Sequence, residues 1–151
     1  MIAIAHRPDL LLLDEPSTGL DPIVRRDILS AIIRTVADEG RTVLLSSHLV
    51  DEVERVADNI AIIHHGQMVL IDTLDNIKET HHRLTLRFDE PQTSTPQLPG
   101  ALSCIGGPLE WTFLCDGQID QLENTAKTLD ARIVEQSTPT LEDIFIARVK
   151  G

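Results

Sequence analysis

Apolar positions fall into short continuous runs in the first half of the chain and into alternation in its last part. Leu10-Leu11-Leu12-Leu13 is an uninterrupted run closed by Asp14 and Glu15. A run of this kind, bounded by turn residues, predicts a strand buried on both faces of a mostly parallel sheet. After it, Val24, Ile28, Ile32 and Val36, with Leu29 and Ile33 beside them, hold helical spacing and predict an amphipathic helix. Asp21-Pro22 supplies an N-cap and a first-turn proline, and Gly40 supplies the stop. Residues 41–48, β-branched and leucine-rich, are a second strand, so the three elements make a crossover unit with parallel strands. A helix over residues 49–57 turns Val53, Val56 and Ala57 inward and Asp51, Glu52 and Glu54 outward. Residues 59–66 form a strand that turns at Gly66-Gln67 into Met68-Val69-Leu70-Ile71, a hairpin, and residues 74–82 are helical. Residues 1–7, which stop at Pro8, read as the last turns of a helix.

The pattern shifts at Arg83. Leu84-Thr85-Leu86-Arg87-Phe88 alternates as a half-exposed strand does. Residues 91–99 hold three of the eight prolines and form a loop. Strands at 102–105 and 111–115 are joined through Gly106-Gly107-Pro108. A helix follows with Ile119, Leu122, Ala126 and Leu129 on one face, then a strand at 132–136. Thr140 opens a last helix with Asp143 three residues on, and Leu141, Ile144, Phe145 and Val149 form its buried stripe. Strands with two helices on one side predict a small α+β unit.

Composition narrows the function classes. With 24 acidic against 13 basic residues the net charge is −11, which lacks the footprint of a nucleic-acid binder. The same charge disfavours direct adhesion to anionic lipid, and no stretch has the length of an apolar membrane span. Membrane association is therefore expected through a protein partner. The N-terminus has no basic region ahead of a long apolar core and does not read as a secretory signal. One Trp, three Phe and no Tyr leave the core to aliphatic side chains. Cys104 and Cys115 flank the Gly-Gly-Pro turn and are expected as two buried free thiols; neither has zinc-site spacing. His64-His65 and His81-His82 are adjacent pairs, whose members would point to opposite faces on a strand, and are expected to be surface or structural rather than ligands.

Two motifs carry a resemblance. Leu-Leu-Leu-Leu-Asp-Glu-Pro-Ser-Thr-Gly-Leu-Asp-Pro, residues 10–22, resembles the Walker B strand and D-loop of ABC-type ATPases. Ser46-Ser47-His48, ending the next strand, resembles the switch histidine of the same family. The resemblance implies an α/β fold, a partial P-loop NTPase (RecA-like) parallel sheet over residues 1–82. Residues 83–151 would then be a small α+β accessory domain, since Thr138-Pro139-Thr140-Leu141-Glu142-Asp143-Ile144-Phe145 resembles the appendage of export-type ABC ATPases. It implies ATP and Mg²⁺ as cofactors, with Asp14 as metal ligand and Glu15 as the catalytic carboxylate that orients the attacking water. His48 would be the γ-phosphate switch and Asp21 a helix cap that also reaches the ATPase dimer partner. The implied subunit is cytoplasmic, lies at the inner face of the membrane and energises a membrane-spanning permease. The phosphate-loop pattern G-x-x-x-x-G-K-[ST] and the Leu-Ser-Gly-Gly signature occur nowhere in the 151 residues. The resemblance thus covers the C-terminal part of such a subunit. The isolated chain is expected to be inactive alone, and a truncated docking or regulatory module is the alternative.

Overall fold

The structure, a computed structural model, describes the backbone of residues 7–38 and 40–150, with side chains for all of these but 22, 26, 32 and 35–38. The expected helix end at residues 1–7 therefore falls almost wholly outside the described residues, as do the side chains of Ile32 and Val36. By packing, the chain divides into two compact units, Met1–Ala57 and Asp58–Gly151. The break falls earlier than the change of sequence pattern at Arg83, because the elements of residues 59–80 pack with the sheet and helices of residues 81–150.

In the first unit β1 (Leu10–Asp14) leads to helix α1 (Pro22–Asp38), β2 (Thr42–Ser46) and the short helix α2 (Val50–Val56). The strands pair in parallel, Leu10 opposite Thr42 through Asp14 opposite Ser46, as the crossover pattern predicts. Burial is one-sided, however. Leu11 is buried and Leu13 half-buried, while Leu10, Leu12 and Leu44 are exposed. The expectation of a strand covered on both faces is not met, because among the described residues one helix packs on this pair of strands. The α1 stripe is likewise narrower than expected: Leu29 is buried and Ile33 half-buried, but Val24 and Ile28 face solvent.

The second unit opens with the antiparallel hairpin β3 (Asn59–His64) and β4 (Gln67–Thr73). His65 and Gly66 between them both have positive φ, 48° and 76°, the two-residue turn whose twist suits a hairpin. Helix α3 (Leu74–Thr80) follows, capped by the Thr73 hydroxyl accepting from the Asn76 amide at 3.1 Å. It ends two residues early, for His81 and His82 already belong to β5 (His81–Phe88). Strands β6 (Ala101–Gly107), β7 (Glu110–Asp116) and β8 (Ala131–Ser137) complete an antiparallel sheet in the order β6-β7-β5-β8. Gly106 and Gly107 extend β6 rather than form the turn, which falls on Pro108 and Leu109.

Helices α4 (Ile119–Thr128) and α5 (Leu141–Lys150) take opposite faces of this sheet, not one side. Leu84, Leu86 and Phe113 join Leu122 and Ala126 of α4 in an aliphatic core with Phe88, Leu98 and Cys115. On the other face Arg83 pairs with Asp143 of α5 at 2.8 Å, and Arg148 of α5 meets Asp116 and His81. Alternation gives β5 two faces, and both are used because Leu84, Thr85 and Leu86 are all buried. The α5 cap is a reciprocal box: the Asp143 amide donates to Thr140 Oγ1 at 3.2 Å, and the Thr140 amide donates to Asp143 Oδ2 at 3.1 Å. Its buried residues are Leu141, Ile144 and Ala147, with Phe145 and Val149 half-buried. Cys115 is buried as expected, but Cys104 is exposed, and both are free. Cys104 lies opposite Phe113 and Cys115 opposite Ala101, so they do not face each other.

Candidate functional site

The parallel register sets the geometry. With Asp14 opposite Ser46, the carboxyl ends of β1 and β2 finish level, and the residues beyond them, Glu15 and Ser47-His48, emerge side by side. The Glu15 amide donates to the Ser46 carbonyl at 3.0 Å, adding one bond past the ladder. The Ser46 hydroxyl donates to Asp14 Oδ1. His48 Nδ1 stands 2.7 Å from Glu15 Oε2, and the Thr18 hydroxyl reaches the same oxygen at 3.3 Å. Glu15 and His48 are thus in contact at two adjoining strand ends, and Asp14, one residue before Glu15, is held by Ser46. Open α/β sheets carry their chemistry at this edge.

Glu15 has φ +46°, the left-handed region that glycine and asparagine favour, and proline follows it. Strained non-glycine backbone of this kind collects at functional sites. The His48 hydrogen bond, helped by Thr18, holds the Glu15 carboxyl below the usual glutamate range against the opposing cost of desolvation. An ionised carboxylate only accepts, so His48 Nδ1 carries the hydrogen in this contact. Nε2 of a neutral ring is then an acceptor. The imidazole can donate through Nε2 only when protonated, or through Nδ1 after releasing Glu15.

Asp21 stands apart from this trio. Its Oδ1 accepts the Ile23 amide at 3.0 Å and caps α1. Between Glu15 and Asp21 the loop is held by a network that the sequence pattern does not announce. Ser17, 2% exposed, donates to Glu52 Oε2 at 2.8 Å. Glu52 Oε1 lies 3.5 Å from Arg25 Nε, and Arg25 donates to the Leu20 carbonyl at 3.1 Å. Glu52 is 8% exposed, which corrects its expected outward position on α2. The loop folds over the first turn of that helix, and the buried carboxylate is kept by a hydroxyl and a guanidinium.

Magnesium is bound through one or two carboxylates together with water and substrate phosphates. Exposed Asp14 beside the Ser46 hydroxyl fits one such ligand position. Among the described residues no three His, Cys, Asp or Glu side chains converge, so the rest of a metal shell here would come from phosphate and water. The histidine doublets agree with a structural reading. His81 is buried, with Nδ1 2.9 Å from the Ile77 carbonyl, and the His64 and His65 rings pack 4.0 Å apart. No helix among the described residues is long and apolar enough to cross a membrane.

A parallel strand pair with two acids and an imidazole at its carboxyl edge defines an α/β protein with a strand-end site. Comparison with known proteins finds relatives. The chain is 26% identical to ABC transporter ATP-binding protein YtrB of Bacillus subtilis over 151 residues, all of this chain and 52% of YtrB. It is 41% identical over 93 residues to the daunorubicin/doxorubicin resistance ATP-binding protein DrrA of Streptomyces peucetius, covering 60% of this chain and 28% of DrrA. It is 43% identical over 81 residues to the bacitracin transport ATP-binding protein BcrA of Enterococcus faecalis, covering 54% and 25%. These relatives are ABC transporter ATP-binding proteins, and the chain matches their C-terminal part. It spans about half the length of YtrB. No protein-family model matches it.

Proposed function

We propose that this chain is the C-terminal part of the ATP-hydrolysing subunit of an ABC exporter. In that reading it works from the cytoplasmic side, peripheral to the inner face of the membrane, and energises a separate membrane-spanning permease. Residues 1–82 contribute to the ATPase domain and residues 83–151 are its accessory domain. The observation that carries the reading is the contact of His48 Nδ1 with Glu15 Oε2 at 2.7 Å, one residue past a Walker B-like Asp14. The names of DrrA and BcrA, with drug resistance and bacitracin transport in them, support an export role.

In phosphoryl transfer a protein mainly positions groups and stabilises charge. Mg-ATP, if bound, would supply the electrophilic phosphorus together with a divalent metal. Asp14 offers an anionic ligand to that metal. Glu15, kept ionised, accepts a hydrogen bond from water and aims it. His48 holds Glu15 in its resting position; after release, its Nδ1–H is available to a phosphate oxygen. The Ser17–Glu52–Arg25 network fixes the loop that ends at Asp21, whose partner in a subunit dimer is the family's second ATPase.

The alternative is a non-catalytic docking or regulatory module, favoured by the lack of any phosphate-loop sequence in the 151 residues. Titrating Mg-ATP into the purified chain should give no heat, since the 151 residues hold no phosphate-loop sequence. Micromolar binding lost on Asp14→Asn would overturn that account of the site. Joining this chain to the N-terminal half of YtrB tests the function itself. ATP turnover by the chimera, removed by Glu15→Gln, supports the subunit. A folded chimera that binds ATP but turns over equally with Glu15→Gln favours the module.

A further inference from the structure

Among the described residues of the first unit, the buried polar side chains are Ser17 and Glu52, and they are bonded to each other. Ser17 follows Glu15 by two residues, and Glu52 follows His48 by four. The stretches 15–17 and 48–52 are therefore joined twice, by His48 Nδ1 to Glu15 Oε2 at 2.7 Å and by Ser17 Oγ to Glu52 Oε2 at 2.8 Å. Each stretch is stiff between its two contacts. The Thr18 amide donates to the Glu15 carbonyl at 3.1 Å and closes a turn over Pro16 and Ser17, where the proline ring fixes one torsion. On the other side the Leu49 amide donates to Ser47 Oγ at 3.1 Å and the Glu52 amide to the Leu49 carbonyl at 3.1 Å. These two bonds carry the end of β2 directly into α2.

A glutamate at φ +46° keeps that conformation only where its surroundings over-determine it. The bond from the Glu15 amide to Ser46 holds its nitrogen side, and the turn holds its carbonyl side. The turn is itself tied down at Ser17, because a buried hydroxyl stripped of its acceptor is costly. We infer that Glu52 is a positioning residue for Glu15: by holding Ser17 it sets the turn that keeps the Glu15 carboxylate beside His48. Thr18, whose hydroxyl reaches Glu15 Oε2 at 3.3 Å, is placed by the same turn. A carboxylate suits the task. A charged acceptor binds a hydroxyl more strongly than a neutral one, and its second oxygen faces Arg25 Nε at 3.5 Å. The consequence for catalysis rests on the ATPase reading of the site; the positioning itself does not.

Carbon NMR of the Glu15 side-chain carboxyl over a pH series, on the 151-residue chain, is the test. Ser17→Ala should raise the Glu15 midpoint, the direction expected of His48→Ala, and Glu52→Ala should do the same. Loss of a neighbouring negative charge would by itself lower that midpoint, so a rise reads lost positioning. Glu52→Gln, which keeps an oxygen for Ser17, should give no rise. Folded alanine variants with an unchanged midpoint overturn the inference, since the network would then hold the loop and nothing more. A rise with Glu52→Gln as large as that with Glu52→Ala overturns it too.

Amide exchange in the unaltered chain decides the matter should the alanine variants not fold. The Thr18 amide should exchange within about tenfold of the Glu52 amide, because the doubly joined stretches open as one. A Thr18 amide faster than that overturns the inference. In the chimera with the N-terminal half of YtrB, Ser17→Ala should lower kcat about tenfold or more and leave KM for ATP little changed. An effect on KM alone overturns the positioning role. A chimera with no turnover before any substitution defeats the ATPase reading instead, and the titration of Glu15 still decides the role of Glu52.

Discussion

At the scale of single residues, the pairing of Glu15 with His48 makes a prediction that needs no nucleotide. The imidazole and the Thr18 hydroxyl hold the Glu15 carboxyl below its usual range. His48→Ala should therefore raise the Glu15 titration midpoint toward that of an ordinary glutamate, read by carbon NMR of the side-chain carboxyl. The contact contributes above the unfolded glutamate pKa and is lost as pH falls through the depressed folded value. An unchanged midpoint would mean the 2.7 Å contact does not persist in solution. Asp14, Glu15 and His48 are legible in the sequence because each ends an apolar strand and the motifs are local. Ser17 and Glu52 are not. An acid in a helix's first turn is equally explained by the helix dipole, and the loop that buries Glu52 comes from 35 residues away.

Among the elements, the β6–β7 hairpin offers a sharp contrast between two neighbouring glycines. A Cβ at Gly106 would stand 2.3 Å from the Glu110 carbonyl oxygen and 2.7 Å from Trp111 Cα, while one at Gly107 meets nothing within 4 Å. Gly106→Ala should lower stability by about 1–3 kcal/mol, the usual cost of overpacking. Gly107→Ala should change it by less than about 0.5 kcal/mol. Urea denaturation of the two variants checks both. In sequence the pair reads as a turn because Gly-Gly-Pro is strong punctuation. Its place in the strand reflects close backbone approach, which a sequence shows only as an absence of side chain. Element types are legible along most of the chain; helix placement is not. Thr85 sits on the face taken by α5, and its hydroxyl is buried against that of Thr112 at 3.0 Å. A polar residue of this kind makes that face look solvated in sequence.

At the scale of the whole molecule, charge and burial govern the response to acid. His81 lies between the Ile77 carbonyl, Arg148 and Asp116, next to His82. Burial lowers its pKa although Asp116 pulls the other way. The unfolded chain thus binds the proton more readily, and stability should fall as pH drops from the ordinary histidine pKa toward the lower folded one. Denaturation midpoints over a pH series should show this slope, and His81→Leu should flatten it. The aliphatic core and the acidic balance are legible from composition. The incomplete cover of the first sheet is not, because four leucines in a row read the same whether or not a second layer lies over them. That bare face has a consequence in time rather than in structure. The amide hydrogens of β1 and β2 are bonded in a ladder, yet Leu12 and Leu44 beside them stand in water. Amide hydrogens there should trade for deuterium well before those of Leu84 and Leu86, and the clock of exchange would run at two speeds along one chain.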